Sequence, residues 1–542
     1  MKIKLSFSFL ILIAIIIGGC AVYYPPPPIP PPPDVTEVSP NVRIGIAEKL
    51  ESLTFMSNDD LDIWDQNGRL MASNYSGRHW RVRLADATSI NLKYRLLYRE
   101  VSNRSEAENL VANLENYGYS AVIKQVKKRK FQSGQFETTF LYNIFFEPFF
   151  DSEYEARQYQ QSISDRFFTT ILPFFDSRPG GKVILINEDT GEYFQSPGLI
   201  RVRGNLFTVR VMVGQGFHFE REVERTYRKQ LEFWIDRFGM LTVVNEIPFE
   251  VYLKGVVGSE MSSEFPLEAL KAQAVAARSY TLARIDKQHR LSPFDLCDEV
   301  HCHVYGGRDK ETARVNEAVD RTRGQVLMYN DIICETFYAG VCGGHSENNE
   351  NAWDGESQVY LRGKLDSRLS DSFPEGYLES DSHVRQWIES SPDVYCNTTR
   401  TQVPESLNYT RKYFRWSVRY SKEELSNIIA DRTGEYIGSL IEIIPLERGV
   451  SGRLKKIEIR GTRRTIIIEK ELEIRRVLSR NYLYSSCFVV DRDRNDFIIN
   501  GAGWGHGVGM CQTGAAMMAL EGFNYRDILY HYYTNSKLVK IY

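Results

Sequence analysis

The chain has 542 residues, enough for roughly three or four domains. Apolar residues make up 42% and charged residues 25%, the balance of a globular protein with a buried core and not of a disordered chain. The net charge is −3 and no local basic patch stands out, so no nucleic-acid partner is expected. Aromatics reach 12%, which suits many strands and also suits sugar-stacking surfaces.

At the N-terminus, Lys2 and Lys4 precede an apolar run from Leu5 to Ile17, followed by Gly18-Gly19-Cys20. The run is too short to span ~30 Å of hydrocarbon as a helix. With its positive front and small residues before a cleavage point, it reads as a secretory signal over residues 1–19. Ile17-Gly18-Gly19-Cys20 resembles a bacterial lipobox, which implies lipidation of Cys20. The alternative is an ordinary signal peptide with a chance cysteine. Residues 20–40 then form a proline-rich linker, Pro25 to Pro28 and Pro30 to Pro33. Such a tract extends at ~3.1 Å per residue and acts as a stiff spacer. The expectation is a lipid-anchored membrane protein of the cell envelope, facing the periplasm or exterior. Seven cysteines remain: Cys297, Cys302, Cys334, Cys342, Cys396, Cys487 and Cys511. An odd number leaves at least one free, metal-bound or paired in trans.

Residues 41–90 alternate as short strands do, in Val42-Arg43-Ile44-Gly45-Ile46 and Trp80-Arg81-Val82-Arg83-Leu84, with a turn at Asp65-Gln66-Asn67-Gly68. Residues 91–176 change character. A strand over Tyr94–Tyr98 precedes a helix capped by Ser105, with Glu108 three residues on and Gly118 at its end. Ser120–Gln125 resumes a strand. The order repeats with a strand at Phe140–Phe146, a helix at Asp151–Ile163 and an apolar run at Phe167–Phe174. These two β-α-β units, with Glu106-Ala107 and Glu155-Ala156 opening their helices, resemble a SPOR domain, a module that binds peptidoglycan glycan stripped of its stem peptides. A ferredoxin-like insertion of purely structural role is the alternative.

From Lys182 the pattern is β again, ending in Leu241-Thr242-Val243-Val244-Asn245-Glu246-Ile247-Pro248. Glu264 to Lys287 reads as a helix with Pro266 near its first turn. Its stripe of Leu267, Leu270, Ala274, Ala277 and Thr281 faces the core. Residues 380–490 read as a mixed α/β subdomain, with a helix near Lys422–Asp431 and strands near Lys455–Ile459 and Thr465–Ile468. A glycine-rich loop, Gly501 to Gly509, and a helix from Gln512 to Glu521 close the chain.

Four blocks carry a family resemblance. The first runs from Val244 to Pro248, through Tyr252-Leu253-Lys254-Gly255-Val256-Val257-Gly258-Ser259-Glu260-Met261, to Leu267–Tyr280. The second is Cys297–Gly307. The third is Phe337–Trp353, containing Gly343-Gly344-His345-Ser346-Glu347-Asn348. The fourth is Gly503-Trp504-Gly505-His506-Gly507-Val508-Gly509-Met510, followed by Gln512 and Gly514-Ala515. Ser451-Gly452-Arg453 and the Val42-Arg43-Ile44 start also fit. Together these resemble the SpoIID/LytB family of peptidoglycan-acting proteins. The resemblance implies an α+β fold: a β-rich catalytic region over 177–542 with a long Ala-rich helix, its N-terminal strands at 41–90, and the SPOR-like piece inserted.

The resemblance further implies a lytic transglycosylase with Glu260 as its one catalytic carboxyl. That group donates a proton to the glycosidic oxygen of a MurNAc–GlcNAc bond. It then takes a proton from the C6 hydroxyl of the same muramyl residue, closing a 1,6-anhydro ring. One Glu suffices when a desolvated site raises its pKa. Spacing alone reads Glu260 otherwise, as a carboxylate complementing the dipole of the helix that follows. Gln273, Arg278, Tyr280, Tyr338, His345, Glu347, Trp504 and His506 are candidates for binding sugar or orienting Glu260, with a structural role as the alternative for each. Gly503–Gly509 is no phosphate loop, because no Lys-Ser/Thr follows it.

Cys297, His301 and Cys302 form a candidate zinc site, with His289 or His303 as a guessed fourth ligand; thiolate and imidazole suit tetrahedral zinc. A disulfide, Cys297–Cys302 or one reaching Cys342 or Cys396, competes with it. The zinc would be structural, and the chemistry requires no cofactor. The partners expected are glycan strands, the membrane through the lipid anchor, and a cell-wall amidase. The amidase enters because a branch of the family is described as amidase enhancers, which leaves a non-enzymatic activator, or an envelope scaffold, as alternatives.

Overall fold

The computed structural model describes residues 40–542, apart from 133–134, 176, 215–219, 286, 288, 300, 368–373 and 375. The signal, Cys20 and most of the proline linker lie outside the described residues. The fold is α+β. Among the described residues, no helix is long and apolar enough to cross a membrane.

The largest sheet has eleven strands and joins two stretches far apart in sequence. Asn41–Leu50 lies antiparallel to Leu241–Pro248, with Ile44 opposite Asn245. Leu241–Pro248 pairs in turn with Arg221–Ile235, and that strand pairs with Leu199–Val213. On the far side, His79–Ala85 is sandwiched between Ser52–Met56 and Lys182–Asn187. The alternation along His79–Ala85 sets its face: Trp80 and Val82 are fully buried while His79, Arg81 and Arg83 are exposed.

Residues 93–174 interrupt this sheet and build one of their own. Its strand order is Ala121–Gln132, Gln135–Phe150, Lys93–Val101, Thr170–Phe174, all antiparallel. Helices Arg104–Asn116 and Glu153–Ile163 complete a split β-α-β pattern of the ferredoxin-like kind. A separate core of Leu96, Ala107, Leu114, Ile144, Phe146, Ala156 and Ile163 holds it. The first helix is capped by Asn103, whose side chain accepts from Ser105 N and Glu106 N, and not by Ser105 as the sequence suggested. Asparagine two residues earlier offers the same acceptor chemistry, and the cap falls where the backbone turns extended.

The helix expected over Glu264–Lys287 is present with shorter ends, and a second helix that the sequence did not suggest precedes it. Phe249–Glu260 is helical, and Leu267–Arg284 begins only after Pro266. Fourteen residues of the second helix are buried, so it is a core helix enclosed on all sides and not an amphipathic one with a single stripe. Further on, Arg415–Ser421, Asp496–Ala502 and Phe488–Asp493 form one sheet, and Leu440–Arg448, Leu454–Gly461 and Thr465–Glu469 another. Helix Lys422–Thr433, capped by Ser421 and ended by left-handed Gly434, packs with them around Leu425, Ile429, Ile457, Ile459 and Ile499. The C-terminal helices Gln512–Leu520 and Tyr525–Tyr532 return to the core helix Leu267–Arg284.

Candidate active site

Glu260 is the last residue of helix Phe249–Glu260. The sequence alone suggested a carboxylate at a helix start; the fold reverses that. A helix C-terminus carries partial negative charge and disfavours an anion, so position by itself favours the neutral carboxyl. Local packing brings a loop against this helix end. A Cβ on Gly255 would meet the Tyr305 ring at 2.6 Å, and one on Gly258 would meet Lys310 O at 2.1 Å. These two glycines, one turn apart, let the loop Cys302–Lys310 lie against the helix. Ser259 Oγ accepts from Gly306 N (3.0 Å) and Val304 N donates to Glu260 Oε1 (3.0 Å). Asn245, from the first block, receives the Tyr305 hydroxyl (3.0 Å) and so pins the same loop to the large sheet.

The residue is half-buried, and removal of its carboxyl from water pushes the pKa from 4.5 up to about 7. The bonds from Val304 N and the Tyr338 hydroxyl pull the other way and are outweighed. Tyr338 also contacts His303 Nδ1 (2.7 Å), and His303 Nε2 contacts Thr281 Oγ1 (3.3 Å). Burial drives His303 down to about 3, so the ring is neutral at ordinary pH and carries one proton. A line Glu260–Tyr338–His303–Thr281 results. With Glu260 ionised, each group donates toward the carboxylate. With Glu260 protonated, its hydrogen is free to point into the site while the Tyr338 hydroxyl still donates to the other carboxyl lone pairs.

The other expected site residues divide. Tyr280 closes on the His303 ring at 4.7 Å and stacks its edge against Phe337. Gln273 is fully buried, and its Oε1 accepts from Gln512 Nε2 (3.3 Å), which also donates to Glu260 O (3.1 Å). His506 donates to the Tyr338 backbone carbonyl and packs on Trp353 at 4.7 Å. Trp504 is 38% exposed, stacks on Tyr413 at 4.3 Å and covers Gly340. His345 and Glu347 hold the framework: His345 Nδ1 bonds Ser346 O (2.7 Å), and Glu347 accepts from Ser451 Oγ (2.6 Å) and Asn351 Nδ2 (2.8 Å). Arg278 is fully buried in an ion pair with Glu250, 2.8 and 2.9 Å, with Tyr542 on the same carboxylate. Its burial gives it a structural role and leaves no face for a sugar. Burial pushes the Glu250 carboxyl up, but the guanidinium overrides this and holds it below its usual value.

Several participants escaped sequence reading. Val304 acts through its backbone. Thr281 was read as part of the core stripe. His303 appeared only as a guessed metal ligand. Arg453, which the sequence offered only as part of Ser451-Gly452-Arg453, is buried and bonds Cys342 O (3.1 Å) and Gly505 O (3.4 Å), gathering the third and fourth blocks. Gly507 sits in the left-handed region, and a Cβ there would strike the Arg453 guanidinium at 2.3 Å.

All seven described cysteines are buried thiols. The fourth member of the Cys297, His301, Cys302 group is His289, whose Nε2 stands 3.2 Å from Cys302 Sγ. His303 turns away to Tyr338. Cys297 and Cys302 each face His301 Nδ1, at 3.8 and 3.6 Å.

Residues 237–329 match the family model described as Stage II sporulation protein, and residues 347–509 match a domain of unknown function (DUF8618). The chain is 32% identical over 299 residues to an uncharacterized protein of Brachyspira hyodysenteriae (strain ATCC 49526 / WA1), covering 55% of this chain and 68% of that protein. It is 26% identical to the stage II sporulation protein D of Bacillus subtilis (strain 168), over 54% of this chain and 75% of that protein. It is 28% identical to the amidase enhancer of the same organism, over 53% of this chain but only 40% of that longer relative.

Proposed function

Because the chain belongs to the SpoIID/LytB family, we propose that it is a peptidoglycan lytic transglycosylase, cutting the MurNAc–GlcNAc bond of denuded glycan strands to 1,6-anhydromuramyl ends. Membership carries a cell-wall role in the envelope. The observation that supports the cutting reading is Glu260: one carboxyl, raised to about 7, with a hydrogen-bonded line behind it. A pKa near neutrality lets the same group give a proton and then take one. In the first half, neutral Glu260 protonates the glycosidic oxygen as its bond to the muramyl C1 breaks, and the GlcNAc unit leaves with a free 4-hydroxyl. The carboxylate left behind is held by Val304 N–H and by the Tyr338 hydroxyl. In the second half it removes the proton from the muramyl C6 hydroxyl as that oxygen closes on C1, and the site returns to its starting state. No water enters the bond.

Three further elements complete the reading. His289, Cys297, His301 and Cys302 offer two imidazole nitrogens and two thiols within 4.8 Å of one another, a donor set that fits tetrahedral zinc. Zinc there would fix the loop whose next residues supply His303 and Val304. The inserted domain is read as a glycan-binding module; Phe149, Tyr154 and Phe168 stand 56%, 69% and 80% exposed on it, in keeping with sugar stacking. Lipid on Cys20 would hold the enzyme at the membrane.

A second reading, a non-enzymatic activator of an N-acetylmuramoyl-L-alanine amidase, draws support from the relative named amidase enhancer. The two readings separate on amidase-treated glycan strands incubated with the protein alone. Anhydromuramyl products from the wild type, absent with Glu260→Gln, are expected. No such products, together with stimulation of an added amidase, would overturn the enzyme reading.

A further inference from the structure

A second group of metal-ligating side chains lies apart from the one just described. Cys342, Asp366, Cys396 and Cys511 come from four separate segments, all four are buried, and their ligand atoms lie within 4.8 Å of one another. From this convergence we infer that the protein holds a second zinc ion, coordinated by Cys342 Sγ, Cys396 Sγ, Cys511 Sγ and Asp366 Oδ2.

The spacing fits. Ligands at ~2.3 Å from one tetrahedral ion stand ~3.8 Å apart. Cys342 and Cys396 Sγ are 3.5 Å apart, and Cys342 Sγ is 3.3 Å from Asp366 Oδ2. Small shifts close the rest. The surroundings are those of a site for thiolates. Gly344 N points at Cys342 Sγ (3.4 Å), while Cys342 N (3.2 Å) and Gly514 N (3.4 Å) both point at Cys511 Sγ. Backbone N–H groups aimed at sulfur stabilise its charged form. The Asp366 carboxylate is oriented from outside the cluster: Tyr532 OH (2.8 Å) and His531 Nε2 (3.3 Å) both hold Oδ1, leaving Oδ2 toward the sulfurs. Ligands of metal ions are held by just such outer contacts. Room is kept for them, since a Cβ on Gly514 would meet Asp366 Oδ2 at 2.7 Å. The segments are also tied by backbone, Asp366 N to Gly344 O (2.9 Å) and Tyr395 N to Asp366 O (2.7 Å).

A disulfide accounts for less. It would join Cys342 and Cys396 and leave a third buried thiol and a buried carboxylate beside it, an arrangement that burial penalises. A divalent ion uses all four donors and offsets two of their four negative charges, each thiol releasing its proton as it binds. The ion would also brace the active site. Cys511 lies on the short strand paired with Tyr338-Ala339, Ala339 being its partner, and the next residue is Gln512, which bonds Glu260 O.

The test is metal analysis of the purified full chain by inductively coupled plasma mass spectrometry, with intact mass under non-reducing conditions. One zinc per chain is expected to be lost in Cys396→Ser and in Cys511→Ser, and to be retained in Cys302→Ser, which disables the other group. Because a serine variant can fail to fold, the Cys302→Ser protein is also loaded with cobalt(II). Intense thiolate-to-cobalt charge-transfer absorption, of a strength that several thiolates give, is expected. Zinc content unchanged by Cys396→Ser and Cys511→Ser, an intact mass two hydrogens light through a Cys342–Cys396 bond, or no charge-transfer band in Cys302→Ser would each overturn the inference. None of these outcomes bears on whether glycan is cut, so this site and the enzyme reading fail separately.

Discussion

Replacing Glu260 by Gln should stabilise the protein at alkaline pH and abolish its activity. Lifting the carboxyl from 4.5 to about 7 corresponds to about 3 kcal/mol of preference for the neutral form in the folded state. Water reaches a half-buried residue, and its screening trims the effect to about 1–3 kcal/mol. The sign follows from linkage. The folded state binds the proton more tightly than the unfolded state, so this stabilisation is fully present below about pH 4.5 and is lost as pH rises through about 7. Glutamine keeps the shape of the carboxyl without the titration. The difference in stability between Glu260→Gln and wild type should therefore grow by about 1–3 kcal/mol between pH 4.5 and pH 8, in favour of the variant. Denaturant unfolding at the two pH values measures it. A difference that stays flat with pH would refute the placement of a neutral carboxyl at this helix end. The same titration predicts that kcat/KM falls as pH rises above about 7, since the acid form must start the reaction.

Other outcomes follow from neighbouring contacts. Tyr338→Phe removes a bond that lowers the Glu260 pKa; kcat should fall roughly 10- to 100-fold, and the alkaline limb of the pH profile should move upward. An unmoved limb would show that Tyr338 does not address Glu260. Arg278→Met leaves Glu250 buried without its partner, costing about 3–5 kcal/mol of stability; folded variant should keep its KM for glycan, whereas a raised KM would return Arg278 to the substrate. Phe149→Ala with Phe168→Ala should weaken binding to denuded sacculi roughly five- to tenfold without changing the thermal midpoint, and equal binding would remove the insert's glycan role.

Much of the fold was legible because periodicity and turn chemistry are local. The strands around Val42–Ile46 and Trp80–Leu84, the helix closing the chain and the β-α-β order of residues 93–174 could all be read from spacing. Helix boundaries were less legible. Asn103 and Ser105 are both good caps, and only the backbone turn chooses between them. Phe249–Glu260 went unread as a helix because its glycines at 255 and 258 lower helix propensity; they are there to admit the loop that carries Val304 and Tyr305. Family blocks pointed to Glu260, but not to the reason its carboxyl is neutral, which depends on a helix end and on burial. Arg278 shows the converse. It stands within a motif block, yet its partner Glu250 lies one helix away, so sequence could not tell an ion pair from a sugar contact. The same holds for the cysteines. Their odd number was plain, but only folding brings Cys342, Cys396 and Cys511 to one carboxylate, and His289 rather than His303 to Cys302.

The central claim is that the cut is made without water. Digesting denuded glycan strands in isotopically labelled water and weighing the new muramyl ends tests it most directly. The account predicts anhydro ends, lighter by one water than a reducing end and free of label, and none at all from Glu260→Gln. Labelled reducing ends, or anhydro ends made equally well by Glu260→Gln, would contradict it.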